Sequence, residues 1–374
     1  MCVEPLADEI FSSWIERAAL EYLAAPHTFA RIVFDNRAVW NRDIDKSGTV
    51  DMAHALARPM AVDVAKAEAT LLRGFEGKLV EHHNPNGNSR WLMPLGVWHR
   101  RRRLGGLQFC PQCLAEDSIP FFRKRWRLSF MTTCDVHGCE LACCCPGCSY
   151  PVQYNVLPPT ARTLRHCPFC GTDLAGSPYR FSTPAAVVAL QDMLLDAAYT
   201  GWGTHTAFGT RHALLIFPVM ARIVSLLLSR RKVAKRFIKV ATAGAGVSDI
   251  GWIEGQDFDR LLVDERRAVL AVACALLEDW PARFDEICQA SGAGVSALLQ
   301  EGATLPFWYE DHVRTRFDRQ PYIETVQEFE AALAYLKRFR IPPTRSAFVR
   351  LFGKREILRK RPALQALVRQ YFPD

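Results

Sequence analysis

The chain has 374 residues, of which 49% are hydrophobic and 23% are charged, a composition typical of a globular protein that excludes a disordered or fibrous chain. The length predicts two or three domains of roughly 100–200 residues each. The formal net charge of +8 is compatible with an acidic partner such as nucleic acid but does not by itself identify one.

The thirteen cysteines favour metal binding over disulfides. Ten of them crowd into residues 110–170, where six form C-x-x-C pairs, and the first residues lack the basic and apolar regions of a signal peptide. We therefore expect a cytoplasmic protein with reduced thiols. No apolar run approaches the ~20 residues of a membrane helix, since Pro218 and Arg222 interrupt residues 213–228. No membrane partner is expected.

Residues 1–105 are predicted to form a helical domain with helix-turn-helix character. Residues 8–20 place their apolar side chains on one stripe at helical spacing. Residues 50–72 divide into two short helices, because Pro59 breaks the first and Asp63 caps the second. Two helices joined by a tight break fit a DNA-binding motif, and they fit equally a packing pair without a role in DNA binding.

Residues 106–178 are predicted to hold two zinc modules in tandem. Each has two knuckles separated by a loop, which is the spacing of a tetrahedral zinc site. Paired in order, the knuckles give site one, made of Cys110, Cys113, Cys134 and His137, and site two, made of Cys145, Cys148, Cys167 and Cys170. A cross-brace that links the first and third knuckles is the alternative pairing. Two structural Zn²⁺ ions are the predicted cofactors.

Four protein ligands would close each zinc shell, so the metal is expected to organise structure and not to catalyse. The residues after His137 do not give the His-x-Glu spacing of a deaminase, and there is no His-Glu-x-x-His motif. No catalytic residue is predicted, and the chain is not expected to be an enzyme. Four neighbouring side chains are expected to be packing residues and not ligands, namely Cys139, Cys143, Cys144 and His166.

Basic residues precede the first knuckle and recur in the loop of site one. They are candidates for contact with a nucleic-acid backbone or an acidic protein, and a solvated edge is the equal alternative. Trp126, Leu128 and Phe130 alternate in the same loop and are predicted to be buried strand residues. The candidate contact residues of this region are Arg101, Arg102, Arg103, Arg123, Lys124 and Arg125.

Residues 179–374 are predicted to form an all-helical domain. Helices are expected over residues 185–198, 213–228, 257–277, 325–340 and 344–360, with a turn at 201–204 and a surface loop at 240–251. Residues 344–361 fit a second helix-turn-helix, because a capped short helix and a glycine turn precede a basic helix that ends before Pro362. A charged packing pair is again the equal alternative. The candidate contact residues here are Arg345, Arg350, Arg355, Arg359 and Lys360. The predicted fold class is thus mostly α and multi-domain.

Several motifs in residues 5–175 occur together in one known family. They are Ser13-Trp14-Ile15-Glu16-Arg17-Ala18, Phe109-Cys110-Pro111-Gln112-Cys113-Leu114-Ala115-Glu116-Asp117, Trp126-Arg127-Leu128, Cys134-Asp135-Val136-His137-Gly138, Cys145-Pro146-Gly147-Cys148 and Cys167-Pro168-Phe169-Cys170-Gly171. In these motifs the chain resembles the TniQ family, which includes the TnsD-type target selectors of transposons. The dense run Cys143-Cys144-Cys145 departs from the family's pattern at the first ligand of site two.

The resemblance implies a non-enzymatic adaptor that marks the insertion site for a transposase. Such proteins bind target DNA themselves or ride on an RNA-guided effector of the Cascade type, and they then recruit an AAA+ ATPase. Some members act as head-to-tail dimers, so the resemblance leaves a homodimer open. It also implies that the family's two zinc sites fall on the eight ligands given above. The alternatives are a sequence-specific zinc-containing DNA-binding regulator and, third, a zinc-dependent nuclease.

Overall fold

The computed structural model describes residues 2–206, 208–247, 250, 253–299, 305–318, 326–352 and 371. The chain divides into two compact units, Met1–Arg316 and Phe317–Asp374, and each is described by itself. Both are built mainly of helices, which confirms the predicted fold class. In the first unit the helices are α1 (Phe11–Glu21), α2 (Pro26–Val33), α3 (Ile44–Ser47), α4 (Val50–Ala57), α5 (Val64–Glu68), α6 (Pro111–Glu116), α7 (Ala185–Thr200), α8 (Ala213–Leu227), α9 (Lys232–Ala245), α10 (Val263–Leu277), α11 (Ala282–Ser291), α12 (Val295–Leu298) and α13 (Phe307–Phe317).

Helix α1 lies at the centre of the N-terminal core. Its predicted apolar stripe is fully buried, and so are the polar side chains between the stripe residues. The indole of Trp14 donates a hydrogen bond to the carbonyl of Val3 at 2.8 Å. Glu9, just before the helix, accepts hydrogen bonds from Ser13 Oγ and Arg17 Nε, each at 2.8 Å. The motif around Trp14 therefore serves packing and internal pairing.

The break predicted between residues 50 and 72 is present. Helix α4 is followed by a 3-10 turn, Arg58–Met60, and Ala61 is left-handed. The carboxylate of Asp63 then accepts from the backbone N–H groups of Ala65 and Lys66, which is the predicted cap. Helix α5 ends at Glu68 and is shorter than the pattern predicted. Its helix-turn-helix role stays a prediction.

The C-terminal part of the first unit requires a correction to the all-helical prediction. The predicted turn at 201–204 opens an antiparallel hairpin of β1 (Trp202–His205) and β2 (Gly209–His212), in which Trp202 lies opposite His212. Gly203 permits this packing, because a Cβ there would lie 2.8 Å from Ile216 Cδ1. The predicted loop at 240–251 is also partly wrong. Helix α9 continues to Ala245, and left-handed Gly246 ends it.

The site-one loop differs from the predicted strand as well. Residues Lys124–Arg127 form a 3-10 turn. Trp126, Leu128 and Phe130 are nevertheless fully buried, as predicted. Burial here comes from packing under the loop and does not require a sheet.

The second unit contains α14 (Val326–Arg338) and α15 (Arg345–Phe352). Their shared apolar cluster includes Phe329 and Phe348, whose rings stack at 4.6 Å. The basic second helix predicted for residues 353–361 lies outside the described residues.

Within the described part of the chain, a single helix long and apolar enough to cross a membrane is not found. Helices α8 and α9 meet those criteria only when taken together, and their axes bend by 101° at the break between them.

The buried carboxylate of Glu16 on α1 generates a prediction about pH. Burial raises its pKa to about 8, and the nearest cation, Arg102, is 3.8 Å away. The folded state thus holds a proton that the unfolded chain releases above its pKa of 4.5, so stability falls as pH rises from about 4.5 to 8.

We expect Glu16→Gln, which mimics the protonated form, to be more stable than the parent at pH ~8 by a few kcal/mol, with an advantage that shrinks toward pH ~5. Urea unfolding across that range measures it. Glu21→Gln, at an exposed position on the same helix, should give no such pH-dependent difference. An equal advantage at all pH values would contradict the assignment.

Candidate metal centres and the basic surfaces around them

Site one is assembled by a short helix and a turn. Cys110 is the N-cap of α6, and its sulfur accepts from the backbone N–H of Cys113 at 3.4 Å. Pro111 occupies the first turn of the helix, where no N–H is needed. On the other side, Cys134 and His137 lie on a turn closed by a hydrogen bond from Gly138 N–H to the Cys134 carbonyl at 2.8 Å. The two knuckles thus face each other, and their four ligand atoms converge on one point.

The distances between the ligand atoms of site one match a tetrahedral metal centre. Zn–S bonds of ~2.3 Å and Zn–N bonds of ~2.0–2.1 Å place two sulfurs about 3.8 Å apart and a sulfur and a nitrogen about 3.5 Å apart. Cys113 Sγ and Cys134 Sγ are 3.7 Å apart. His137 Nδ1 lies 3.5, 3.3 and 3.8 Å from the sulfurs of Cys110, Cys113 and Cys134. The four side chains could hold one metal ion.

The second ring nitrogen of His137 is held by a carboxylate. His137 Nε2 lies 3.0 Å from Glu116 Oε2, at the end of α6. Such a partner fixes which nitrogen faces a metal. Burial would lower the pKa of His137, but the hydrogen bond to Glu116 and the neighbouring thiols outweigh it and raise that pKa to about 9. A cation entering the cluster therefore displaces a proton from this ring.

Site two has the same plan with four thiols. Cys145 Sγ is 3.5 Å from Cys170 Sγ, and Cys148 Sγ is 3.7 Å from Cys167 Sγ. Left-handed Gly171 turns the second knuckle, where a side chain would be strained. Cys170 is exposed, and its contact of 3.1 Å with the hydroxyl of Thr172 lowers its pKa to about 6. These four side chains could hold a second metal ion.

The clustering agrees with knuckles paired in sequence order and not with the cross-brace. Each group of four takes its members from consecutive knuckles. The spare thiols lie nearby without joining either group. Cys139 Sγ is 3.4 Å from Cys110 Sγ, and Cys143 Sγ and Cys144 Sγ are 3.8 Å apart. In the dense run 143–145, it is Cys145 that faces site two.

The loop of site one docks on α1. The backbone N–H of Phe122 donates to Ser13 Oγ at 3.0 Å, and that of Ile10 donates to the Phe122 carbonyl at 2.9 Å. The fully buried guanidinium of Arg127 pairs with Asp43 at 2.6 Å and with Asp45 at 2.9 Å. Residues of the N-terminal motif and of the Trp126-Arg127-Leu128 motif are thus in one packed body.

Comparison with protein families bears directly on this body. A sequence model of the family described as TniQ matches residues 1–141. The chain contains a TniQ domain. The match confirms the resemblance over these residues and associates the chain with the targeting of transposition. Comparison with curated proteins gave no match.

The boundary of the TniQ match falls between the two metal sites. It includes α1 to α6 and all four ligands of site one, and it ends before Cys145. Site two and the helices from α7 onward lie beyond it. The match therefore rests on the body built around α1 and site one.

The cations in the site-one loop of the TniQ domain are paired internally. Arg123 pairs with Asp117 at 2.8 Å. Arg125 pairs with Asp8 at 2.7 Å and also with Asp135. Lys124 is partly buried, with its Nζ 5.7 Å from the ring centroids of both Phe75 and Tyr199. The structure thus gives all three predicted contact residues intramolecular partners.

The basic run before the first knuckle is divided by a tight turn. Trp98 and Arg101 exchange two backbone hydrogen bonds, and both central residues, His99 and Arg100, have positive φ. Arg102 points inward, 3.8 Å from Glu16, while Arg101 and Arg103 are exposed. Of the three predicted contact residues in this run, two remain available to a partner.

The predicted contacts near the C-terminus are only partly described. Arg345 begins α15, and Arg350 is exposed on the same helix. Arg355, Arg359 and Lys360 lie outside the described residues. Their role in binding stays a prediction.

One basic element was absent from the sequence-based candidates. Helix α9 and the residue pair before it carry six cations within residues 230–239 and no acidic residue. A count of charge along the chain would have found it.

Removing one ligand should halve the bound metal. We expect Cys113→Ala to purify with about one metal equivalent in place of two, because a tetrahedral shell needs four ligands. Cys139→Ala, which removes a thiol 3.4 Å from Cys110 Sγ but outside the group of four, should keep both. Elemental mass spectrometry gives the counts. Full metal content in Cys113→Ala, or loss in Cys139→Ala, would overturn the ligand assignment.

Acid should release both metals, since the thiolate and imidazole ligands must lose protons to bind. Apparent affinity is therefore expected to fall as pH decreases from about 8 to 5. A competition titration with a chromophoric chelator measures this. An affinity independent of pH would argue against cysteine ligands.

Proposed function

We propose that this protein is a non-enzymatic targeting adaptor of transposition. It binds target DNA or an RNA-guided effector of the Cascade type and recruits an AAA+ ATPase that brings the transposase. The observation that carries the proposal is the TniQ match over residues 1–141, which coincides with the body packed around site one.

Both metals are proposed to be structural Zn²⁺. Thiolates and an imidazole are ligands that zinc prefers, and site one offers three thiolates with one imidazole while site two offers four thiolates. Four protein ligands at tetrahedral distances fill the shell and leave no position for a water or a substrate. Each site then supplies rigidity to a surface, which is what an adaptor needs.

The adaptor is proposed to work in the cytoplasm, alone or as a homodimer. Its surface for partners would draw on groups that are exposed beside the metal-braced body. Trp98, Arg101 and Arg103 meet this description, and Trp98 is 60% exposed. An exposed tryptophan among arginines is typical of binding hot spots.

A sequence-specific DNA-binding regulator is the second candidate. It is favoured by the basic helix α9, which is described below, and it differs from the adaptor in needing no ATPase partner. A nuclease has less support. Among the described residues, the groups of His, Cys, Asp or Glu that could hold a metal are sites one and two.

Co-purification tests the proposal. Tagged protein expressed with the products of its neighbouring genes should retain an AAA+ ATPase in the presence of ATP. Cys113→Ala should lose most of that retention, because the body around site one loosens, whereas Cys139→Ala should keep it. Tight binding to one DNA sequence with no ATPase retained would favour the regulator instead.

A further inference from the structure

A single ten-residue segment carries most of the chain's excess positive charge. Residues 230–239 contain six Lys or Arg and no Asp or Glu, whereas the whole chain has 47 basic and 39 acidic residues, a difference of eight. The six are Arg230, Arg231, Lys232, Lys235, Arg236 and Lys239. Such a local field attracts a polyanion.

The fold orients α9 so that these cations face solvent. Ala234, Phe237, Ile238 and Ala241 are buried and form the inner face of the helix. This face packs against α8, α10 and α11. The cations fall between the buried positions, and all six are exposed. An amphipathic helix that buries its apolar side in its own protein leaves only the charged side for a partner.

Most of these charges have no internal ion pair. Lys235 pairs with Glu254 at 3.2 Å, and Arg230 donates to the Glu254 carbonyl at 3.4 Å. For Lys232, Arg236 and Lys239, no ion pair is found with any residue of the described ranges. By contrast, Arg123 and Arg125 of the site-one loop form ion pairs with carboxylates of the same chain.

The segment before α9 gives it a defined pose. Helices α8 and α9 are bent by 101° across a break of four residues. That angle and that length are those of a helix-turn-helix, in which two helices cross at ~90–120° over a turn of three or four residues. The turn is fixed, because Gly255 N–H donates to the Leu228 carbonyl at 2.6 Å and Arg231 N–H donates to Ser229 Oγ at 3.3 Å.

We propose that α8 and α9 form a helix-turn-helix in which α9 binds the major groove of duplex DNA. Helix α9 has 14 residues and is therefore about 21 Å long. An α-helix with its side chains is ~10–12 Å across, which fits a major groove ~12 Å wide. The cations on the two edges of α9 would contact phosphates. The buried face of α8 holds both helices against the rest of the first unit. This site differs from the two helix-turn-helix segments predicted from the sequence.

A membrane surface fits α9 less well than DNA. An interfacial helix must insert its apolar face among lipid tails, but Phe237 and Ile238 are within the protein core. The assignment rests on the DNA-binding arm of the proposed function. It needs no transposition partner, however, and can be tested on the purified chain alone.

The test is fluorescence anisotropy of the full-length, metal-loaded protein with a duplex of about 30 base pairs, in ~50–200 mM KCl. The triple variant Lys232→Ala, Arg236→Ala, Lys239→Ala removes three phosphate contacts. Its log–log salt slope should become shallower by about 2.7, and its affinity at ~100 mM salt should fall by at least about tenfold.

A matched variant removes three other exposed arginines that lie outside every predicted contact segment: Arg31→Ala, Arg37→Ala, Arg162→Ala. This matched variant has the same net charge as the triple variant of α9. It should bind DNA within about twofold of the parent, and its log–log salt slope should change by less than ~1. Circular dichroism and metal content check that both variants fold.

Several outcomes would overturn the assignment. They are a parent protein that fails to bind duplex DNA, an equal loss in the matched variant, or binding to an acidic polypeptide but not to DNA. If DNA binding depends on α9 while no ATPase is retained, the helix-turn-helix stands and the adaptor fails. If an ATPase is retained but DNA binding is unchanged in the α9 variant, the adaptor stands and the helix-turn-helix fails.

Discussion

A metal held at site one would close a loop whose inner side chains are buried and whose backbone is hydrogen bonded to α1. Twenty residues separate Cys113 from Cys134, and Phe122 and Trp126 in that loop are fully buried. Closing such a loop without a cross-link would cost conformational entropy that a short segment with little regular structure could not easily recover. The metal is therefore expected to stabilise more than its own knuckles. Because Phe122 is hydrogen bonded to Ser13, the position of α1 depends on the same closure.

Buried charges then determine how the loop and the N-terminal helices fit. Arg127 has no exposed surface and is paired with Asp43 and Asp45, and Asp45 also accepts from Ser12 N–H at 2.7 Å. A buried ion pair adds little net stability, since desolvation offsets the attraction, but it strongly penalises any arrangement that separates its members. The geometry of this cluster thus specifies one docking of loop on helix. Ser13 and Arg127, which belong to motifs shared with the TniQ family, both contribute to this docking.

The parts of this structure that local chemistry determines were predictable from the sequence. The eight candidate ligands follow from C-x-x-C and C-x-x-H spacing, although spacing left the pairing of the knuckles open. The stripe of α1 follows from helical periodicity. The cap at Asp63 follows from its side chain, which accepts two backbone N–H groups. The hairpin at Trp202–His212 was missed because its register depends on Gly203 packing under Ile216, a contact between segments that no local pattern encodes.

Ion pairing was the second thing that the sequence did not reveal. The run Arg123-Lys124-Arg125 reads as a basic patch, yet its arginines pair with Asp117, Asp8 and Asp135. Asp8 is more than a hundred positions away in the chain, so spacing alone gave no hint of it. Conversely, the sequence of α9 intersperses cations with apolar residues, as in an ordinary packing helix. Only the structure shows that the apolar side is buried and the basic side is exposed.

This difference in pairing decides which basic segments can bind a polyanion. Binding to nucleic acid is driven largely by release of counterions when protein cations neutralise phosphates. An arginine already matched by a carboxylate must give up that partner first, so the net gain is small. Helix α9 and the exposed Arg101 and Arg103 do not face this cost to the same degree. The TniQ match ends at residue 141, before α9 begins. The N-terminal body and the basic helix are therefore separable in sequence, so the proposed partner contacts of the one and the proposed DNA contacts of the other rest on different segments.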